Sequence, residues 1–254
     1  MKKYITKLVS IALSTVFILT SSLVIANEGG YPLEKAPKKV SDVAALQRGA
    51  KIFVNYCLNC HSASAMRYNR LKDIGLTDEQ IKQNLLFTAE KVGETMQIAM
   101  NYKDAKKWFG TTPPDLSVIA RSNGKDWLYT YMRSFYLDET RATGWNNALF
   151  HNVGMPHVLW ELQGTRIANH VEEVDPHDHN KKISKIAGFE QINPGLLNTH
   201  EYDEAVADLV AFLDWMSEPS QNSRKRMGLW ILLYLSLFTI LAWRLNASYW
   251  KDIK

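Results

Sequence analysis

Residues 57–61 read Cys57-Leu58-Asn59-Cys60-His61, and Cys57 and Cys60 are the only two cysteines in a chain of 254 residues. Cys-x-x-Cys-His is the attachment sequence for c-type haem. Two thiols about one helical turn apart each add to a vinyl group of the porphyrin as a thioether, and the adjacent histidine supplies an axial nitrogen to the iron. Other uses of two cysteines fit less well. A Cys57–Cys60 disulfide closes a loop too short to staple anything. A thioredoxin-like pair needs no following histidine and sits before a helix in a βαβ setting. Structural zinc needs four ligands and has to recruit two more histidines from elsewhere. The motif therefore reads as one covalent haem c.

The ends of the chain say where such a haem resides. Lys2, Lys3 and Lys7 precede an uncharged apolar run from Leu8 to about Ile25, which closes on the small residue Ala26. A basic start, an apolar middle and a small final residue describe a secretory signal peptide over 1–26, with cleavage expected after Ala26. A retained anchor is the alternative, because the apolar run is long. Met227–Trp243 is a second uncharged apolar stretch, flanked by Arg224-Lys225-Arg226 and Arg244. It meets the lower bound for a transmembrane helix, and Trp230, Trp243, Tyr249 and Trp250 suit the interfacial aromatic belts. The cations on its two sides cast no clear vote on orientation. The signal sequence decides it: residues 27–223 lie outside the cytoplasm, and 224–254 hold a single-pass anchor and a short cytoplasmic tail.

Removing Lys2, Lys3 and Lys7 takes the net charge from +4 to +1, and residues 224–254 carry +5, so residues 27–223 carry −4. A mildly acidic domain points away from nucleic acid and towards basic protein partners. Its length suffices for one domain with a proper core.

Within it, Ser41 is a plausible N-cap, and Val43, Leu46, Ala50, Phe53 and Val54 recur at helical spacing up to Cys57. Thr77 and Gln80 form a capping-box pair ahead of Ile81, Leu85 and Ala89. Trp127, Leu128, Tyr131, Met132 and Phe135 predict a helix over 125–137. A further helix is expected from about His200 to Ser217, capped by Thr199. Residues 138–198, rich in Gly and Pro, read as loops.

The function depends on the sixth ligand. An open iron favours peroxidase, gas-binding or sensing chemistry, whereas a thioether closes the site and raises the potential for electron transfer. Met132 and Met216 sit on apolar helix faces, and Met66 is too near His61 to pass around the ring. Met96, Met100 and Met155 remain. Met155 lies in Gly154-Met155-Pro156, where glycine permits a close backbone approach and proline stiffens the loop. His151 is a minor alternative ligand. His170, His177 and His179 among Glu172, Glu173, Asp175 and Asp178 show no firm metal spacing and read as a solvated acidic loop.

Several stretches together resemble the cytochrome c1 family, the haem subunits of cytochrome bc1 complexes, in its bacterial form. They are Asn55-Tyr56-Cys57 through His61, Pro113-Pro114-Asp115-Leu116-Ser117, Gly154-Met155-Pro156, Trp215-Met216-Ser217-Glu218-Pro219 and Tyr249-Trp250-Lys251-Asp252. The resemblance implies a mainly α, cytochrome c-like haem domain with long loops and one C-terminal transmembrane helix. It implies Cys57 and Cys60 as thioether sites, His61 as proximal ligand and Met155 as distal ligand. It further implies that Arg121 pairs with a haem propionate, that Trp127 stands nearby, and that Pro113 and Pro114 line the proximal side, where a backbone carbonyl would hold the His61 N–H. The implied role is an electron-transfer subunit of quinol–cytochrome-c reductase, without independent substrate turnover. The implied partners are cytochrome b, the Rieske iron–sulfur protein and a cytochrome c acceptor, in a dimeric complex of the bacterial inner membrane with the haem domain on the periplasmic side. Phe150-His151 departs from many relatives, which carry proline after the aromatic residue.

Overall fold

The computed structural model describes residues 31–174 and 182–253. The expected signal sequence, and His177 and His179 of the acidic loop, lie outside the described residues. Over the described residues the fold is mainly helical around one hydrophobic core, with three two-stranded antiparallel sheets at its margins.

Helix α1 (Val43–Ile52) starts at Asp42, whose carboxylate accepts from the Ala45 N–H at 3.2 Å; the cap is one residue later than Ser41. It continues into a wider turn over Phe53–Cys57, closed by a bond from Leu58 N to Phe53 O at 3.0 Å, and so delivers the haem motif at its end. Helix α2 (Asp78–Asn84) has the expected Thr77/Gln80 capping box but stops before Leu85. Helix α3 (Tyr102–Phe109) ends on Gly110 at positive φ, and the short α4 (Ile119–Asn123) precedes α5 (Lys125–Met132).

The helix expected over 125–137 ends at Met132, because Phe135–Leu137 (β3) pairs instead with Trp145–Asn147 (β4). The supposed loop region after it also holds structure: a short helix α6 (Trp160–Gln163) and a long hairpin, β5 (Gly164–Val174) with β6 (Lys182–Pro194). The two remaining strands, Ala63–Arg67 (β1) and Thr95–Met96 (β2), brace the segment after His61. Arg166 ties the hairpin to the body. Its Nε donates to the Phe135 carbonyl at 2.8 Å, its guanidinium lies 3.9 Å over the Phe189 ring, and burial pulls its pKa down to about 10.

Helix α7 (Thr199–Ser217) carries a capping box from Asn198 and Glu201, one residue earlier than Thr199. It packs on α1 so closely that Gly49 faces the Asp208 backbone directly. Phe53 and Phe212, both fully buried, meet across this crossing at 5.5 Å between ring centres. Burial of each such side chain contributes roughly 1.5–3 kcal/mol. Asp208, also buried, accepts from Lys39 Nζ at 2.9 Å and Arg48 Nε at 2.6 Å, so its charge is paired on both sides. The crossing fixes where the haem motif stands. After Pro219, helix α8 (Gln221–Tyr249) is 29 residues long, contains an 18-residue stretch of mean hydropathy 1.7 and has no buried residues; it is long and apolar enough to cross a membrane.

Candidate haem-binding site

Backbone bonds from Cys60 N and His61 N back to the Cys57 carbonyl, 3.1 and 2.9 Å, wind the motif into a tight turn. Cys57 is buried and Cys60 half-buried, and both are free thiols. Burial, with Cys60 adding to it, pushes the Cys57 thiol up to about 12, so it stays protonated among apolar neighbours.

His61 is held from the opposite side by the proline loop. Its Nδ1–H donates to the Pro114 carbonyl at 2.7 Å, which leaves Nε2 as the free lone pair. Burial lowers its pKa more than that hydrogen bond raises it, so the ring is neutral, the form that ligates a metal. The carbonyl is placed by a lattice of bonds between 113–117 and 62–65. Leu116 N donates to Ser62 O at 2.8 Å. Ser64 donates from N and Oγ to Asp115 at 2.8 and 2.7 Å, and Ala65 N donates to Ser117 Oγ at 3.0 Å. Burial works against the Asp115 carboxylate, but hydrogen bonds from Ser117 and Ser64 outweigh it and hold its pKa below the usual value. A cleft of ≈ 250 Å³ opens beside the motif, lined by Cys60, Met100, Tyr102, Ala105 and Pro113 among others.

The Met155 loop is equally fixed. Asn147 Oδ1 accepts from Leu149 N and Phe150 N, each at 3.0 Å, and Asn146 Oδ1 accepts from Asn152 N at 2.9 Å. Asn152 adopts φ 61°, and Arg141 clamps both its side chain and its carbonyl at 3.1 Å. At Gly154 a Cβ would stand 2.9 Å from the Phe109 carbonyl and from Thr111 Cγ2, so this glycine admits the 109–111 loop. Met155 itself is half-buried, and the Tyr131 hydroxyl donates to its Sδ at 3.5 Å. Tyr131 is locked in place by Trp127, stacked at 4.8 Å, and by Phe135, edge-on at 5.0 Å.

Of the other methionines considered, Met66, Met96, Met132 and Met216 are core residues, which removes Met96 from the ligand candidates. Met100 lines the cleft. His151 is exposed. His170 lies in β5, with Nδ1 3.1 Å from Ser184 Oγ. Arg121 is mostly exposed and pairs with Glu218 at 3.3 Å. Among the described residues no group of three or more His, Cys, Asp or Glu side chains converges as a metal site.

Sequence reasoning missed Tyr131, Asn146, Asn147 and His157. The last is buried, stacked on Phe135 at 4.8 Å, with Nε2 2.7 Å from Gln163 Oε1 and Nδ1 without a partner. Burial drops its pKa from 6.5 to about 3. Below 6.5 the unfolded chain binds a proton that the folded chain refuses, so stability is full above that value and is lost as pH falls towards 3. Urea unfolding of the wild type should therefore weaken below pH 6.5 by up to about 1.4 kcal/mol per pH unit more than that of His157→Leu. Equal slopes would show that His157 takes up a proton in the folded state.

The donor set fits haem c: two free thiols at one helix end, a neutral imidazole with its far nitrogen anchored, and a thioether on a rigid loop. The family model described as "Cytochrome C1 family" matches residues 34–107 and 92–253. Cytochrome c1 of Allochromatium vinosum is 46% identical over 242 residues, covering 95% of this chain and 98% of that protein. A protein named ammonia monooxygenase gamma subunit, from Nitrosomonas europaea, is 45% identical over 221 residues, covering 87% of this chain and 88% of its own length. A solved chain of a hyperthermophilic respiratory complex III aligns over 98% of this chain and 99% of its own, at 17% identity and a TM-score of 0.44. The chain belongs to the cytochrome c1 family, and its cofactor is one covalent haem c.

Proposed function

We propose that this chain is the electron-transfer subunit of a respiratory bc1 complex, passing single electrons from the Rieske iron–sulfur protein to a cytochrome c. The observation that supports this reading best is the pair of axial donors, each held by a second residue: His61 by the Pro114 carbonyl and Met155 by the Tyr131 hydroxyl. Bound haem c supplies one iron that alternates between two oxidation states. The residues around it keep that change small in structural terms. Cys57 and Cys60 would hold the ring through thioether bonds at the end of the turn that follows α1, and His61 Nε2 and Met155 Sδ would be the donors to its iron. Imidazole–thioether ligation favours the reduced metal and raises its potential. Pro114 fixes the tautomer and orientation of His61 from the outer shell. Trp127 and Tyr131 pack beside the methionine, and Arg121, paired with Glu218 at 3.3 Å, would neutralise a haem propionate.

Residues 1–26 direct export, residues 27–223 work on the periplasmic face of the bacterial inner membrane, and α8 anchors them there. Anchoring holds the domain beside cytochrome b and gives its partners a high effective concentration. Two such assemblies form the dimeric complex. Quinol oxidation belongs to the complex; this chain relays the electron.

Purification of the full chain in mild detergent tests the assignment. A multi-span cytochrome b and an iron–sulfur subunit should co-purify. Recovery with the subunits of an oxidase or an oxygenase instead would overturn it.

Tyr131 gives a finer test. A hydroxyl donating to Sδ withdraws density from the sulfur, weakens its donation to ferric iron and so favours the ferrous state. Tyr131→Phe keeps the ring stacking but loses that bond. Its midpoint potential should fall, and its ferric form, whose sulfur now donates more strongly, should bind imidazole about tenfold more weakly, the worth of one hydrogen bond. An unchanged potential and affinity would mean that Tyr131 only packs.

A further inference from the structure

Helix α3 borders the cleft beside the haem motif at its start and the methionine loop at its end. Tyr102, at the start, lines the cleft with Cys60 and Pro113. Phe109, at the end, brings its carbonyl to 2.9 Å from the Cβ position of Gly154, the neighbour of Met155. The helix thus runs from the second thioether cysteine to the methionine loop.

The surface it offers is unusual for this domain. Ala105 alone is buried; Lys103, Lys106 and Lys107 are exposed, with Asp104 the one acid. Tyr102 is 75% and Trp108 62% exposed. Lys106 and Lys107 complement the C-terminal end of the helix dipole, but Lys103 stands in the first turn, where a cation is unfavourable for the helix. Its placement has no local structural benefit. Two large aromatic rings in water beside three cations match the anatomy of a docking patch, with an apolar anchor and a charged surround. The overall charge of −4 over residues 27–223 points to a basic partner, yet α3 itself has the opposite sign, three lysines against Asp104.

We propose that α3 is the docking surface for the electron acceptor, and that this acceptor presents an acidic face with an apolar centre. The inference rests on the electron-relay reading. One electron leaves this chain's ferrous iron and reduces the acceptor's ferric iron, with no proton or group transferred. The lysines raise the encounter rate, and Tyr102 and Trp108 hold the short-lived complex.

The test uses the full, haem-loaded chain, reduced with ascorbate and mixed in a stopped-flow instrument with an acidic bacterial cytochrome c or with basic horse cytochrome c. Oxidation by the acidic acceptor should slow as salt is added. The K103E/K106E/K107E variant should slow it by at least about tenfold at low salt and speed oxidation by the basic acceptor, with spectrum and midpoint potential unchanged. Trp108→Ala should slow it at high salt too. A wild-type rate that is flat or rising with salt overturns the proposal without recourse to any variant. So does a triple variant that slows both acceptors alike, or one that loses binding to anionic lipid vesicles while oxidation is untouched. Because the exchange is bimolecular and the reductant chemical, a negative result counts against α3 alone. Failure of cytochrome b and the Rieske protein to co-purify counts against the relay's place in the complex.

Discussion

Met155→Leu should convert a closed, low-spin haem into an open one. Leucine matches methionine in volume, so the loop held by Asn146, Asn147 and Arg141 should keep its shape and the fold should survive. What is lost is the thioether. Without it the ferric state is no longer disfavoured, and the midpoint potential should fall by on the order of 0.1 V, a modest part of the ≈ 0.8 V range that axial ligands span. The reduced variant should bind carbon monoxide, and electron delivery from a Rieske-type donor should collapse. A redox titration and a carbon monoxide difference spectrum read both effects. If Met155→Leu retains wild-type potential while Met100→Leu shifts it, the ligand is the methionine that lines the cleft.

Gly49→Ala should have the largest effect on stability. A Cβ at this position would stand 2.1 Å from the Asp208 carbonyl oxygen and 2.7 Å from Phe212 Cβ. The nearest obstacle is helix backbone, which cannot rotate away, so α1 and α7 must separate. Separation loosens the Phe53–Phe212 contact and the paired Asp208 together. Overpacking of this severity costs about 3 kcal/mol or more, and a domain of this size then melts roughly 6–12 °C lower. Because α1 carries Cys57 to its place, the yield of haem-loaded protein should fall as well. A melting curve of the full chain, followed by visible absorption, checks this. A transition within about 2 °C of wild type would mean that the crossing is slack.

What was legible in the sequence followed from local chemistry. The Cys57–His61 motif, the Thr77/Gln80 capping box and the α7 apolar face each declare themselves within a few residues. The β5–β6 hairpin did not. Its strands cover little: Ile167, Val171 and Ile192 are exposed, so the apolar–polar alternation that betrays a half-buried strand is weak. Its base needs glycine where Gly164 would otherwise strike the Asn193 carbonyl at 2.2 Å, and such glycines read from sequence as loop punctuation. Phe135 misled in another way. It continues the apolar spacing of α5, yet pairing with Asn147 in β4 prevailed over helix propensity.

The candidate site divides along the same line. His61 and Met155 are named by short motifs, whereas Tyr131 looks like an ordinary apolar-face residue four positions after Trp127. Its hydroxyl finds Met155 only through the tertiary fold. His157 is a similar case, since nothing in its neighbours announces a buried imidazole between Phe135 and Tyr202. The acidic partner of α3 is hidden for a different reason: a net charge sums over the whole domain, and the three lysines that matter sit on two helical turns.

A carbon monoxide difference spectrum of the dithionite-reduced wild-type chain bears on all of this at once. Iron held by both His61 and Met155 leaves no vacancy, so the spectrum should be flat. A shifted Soret band at ordinary carbon monoxide pressure would mean an open sixth position, and the relay would give way to a haem that binds its own ligand.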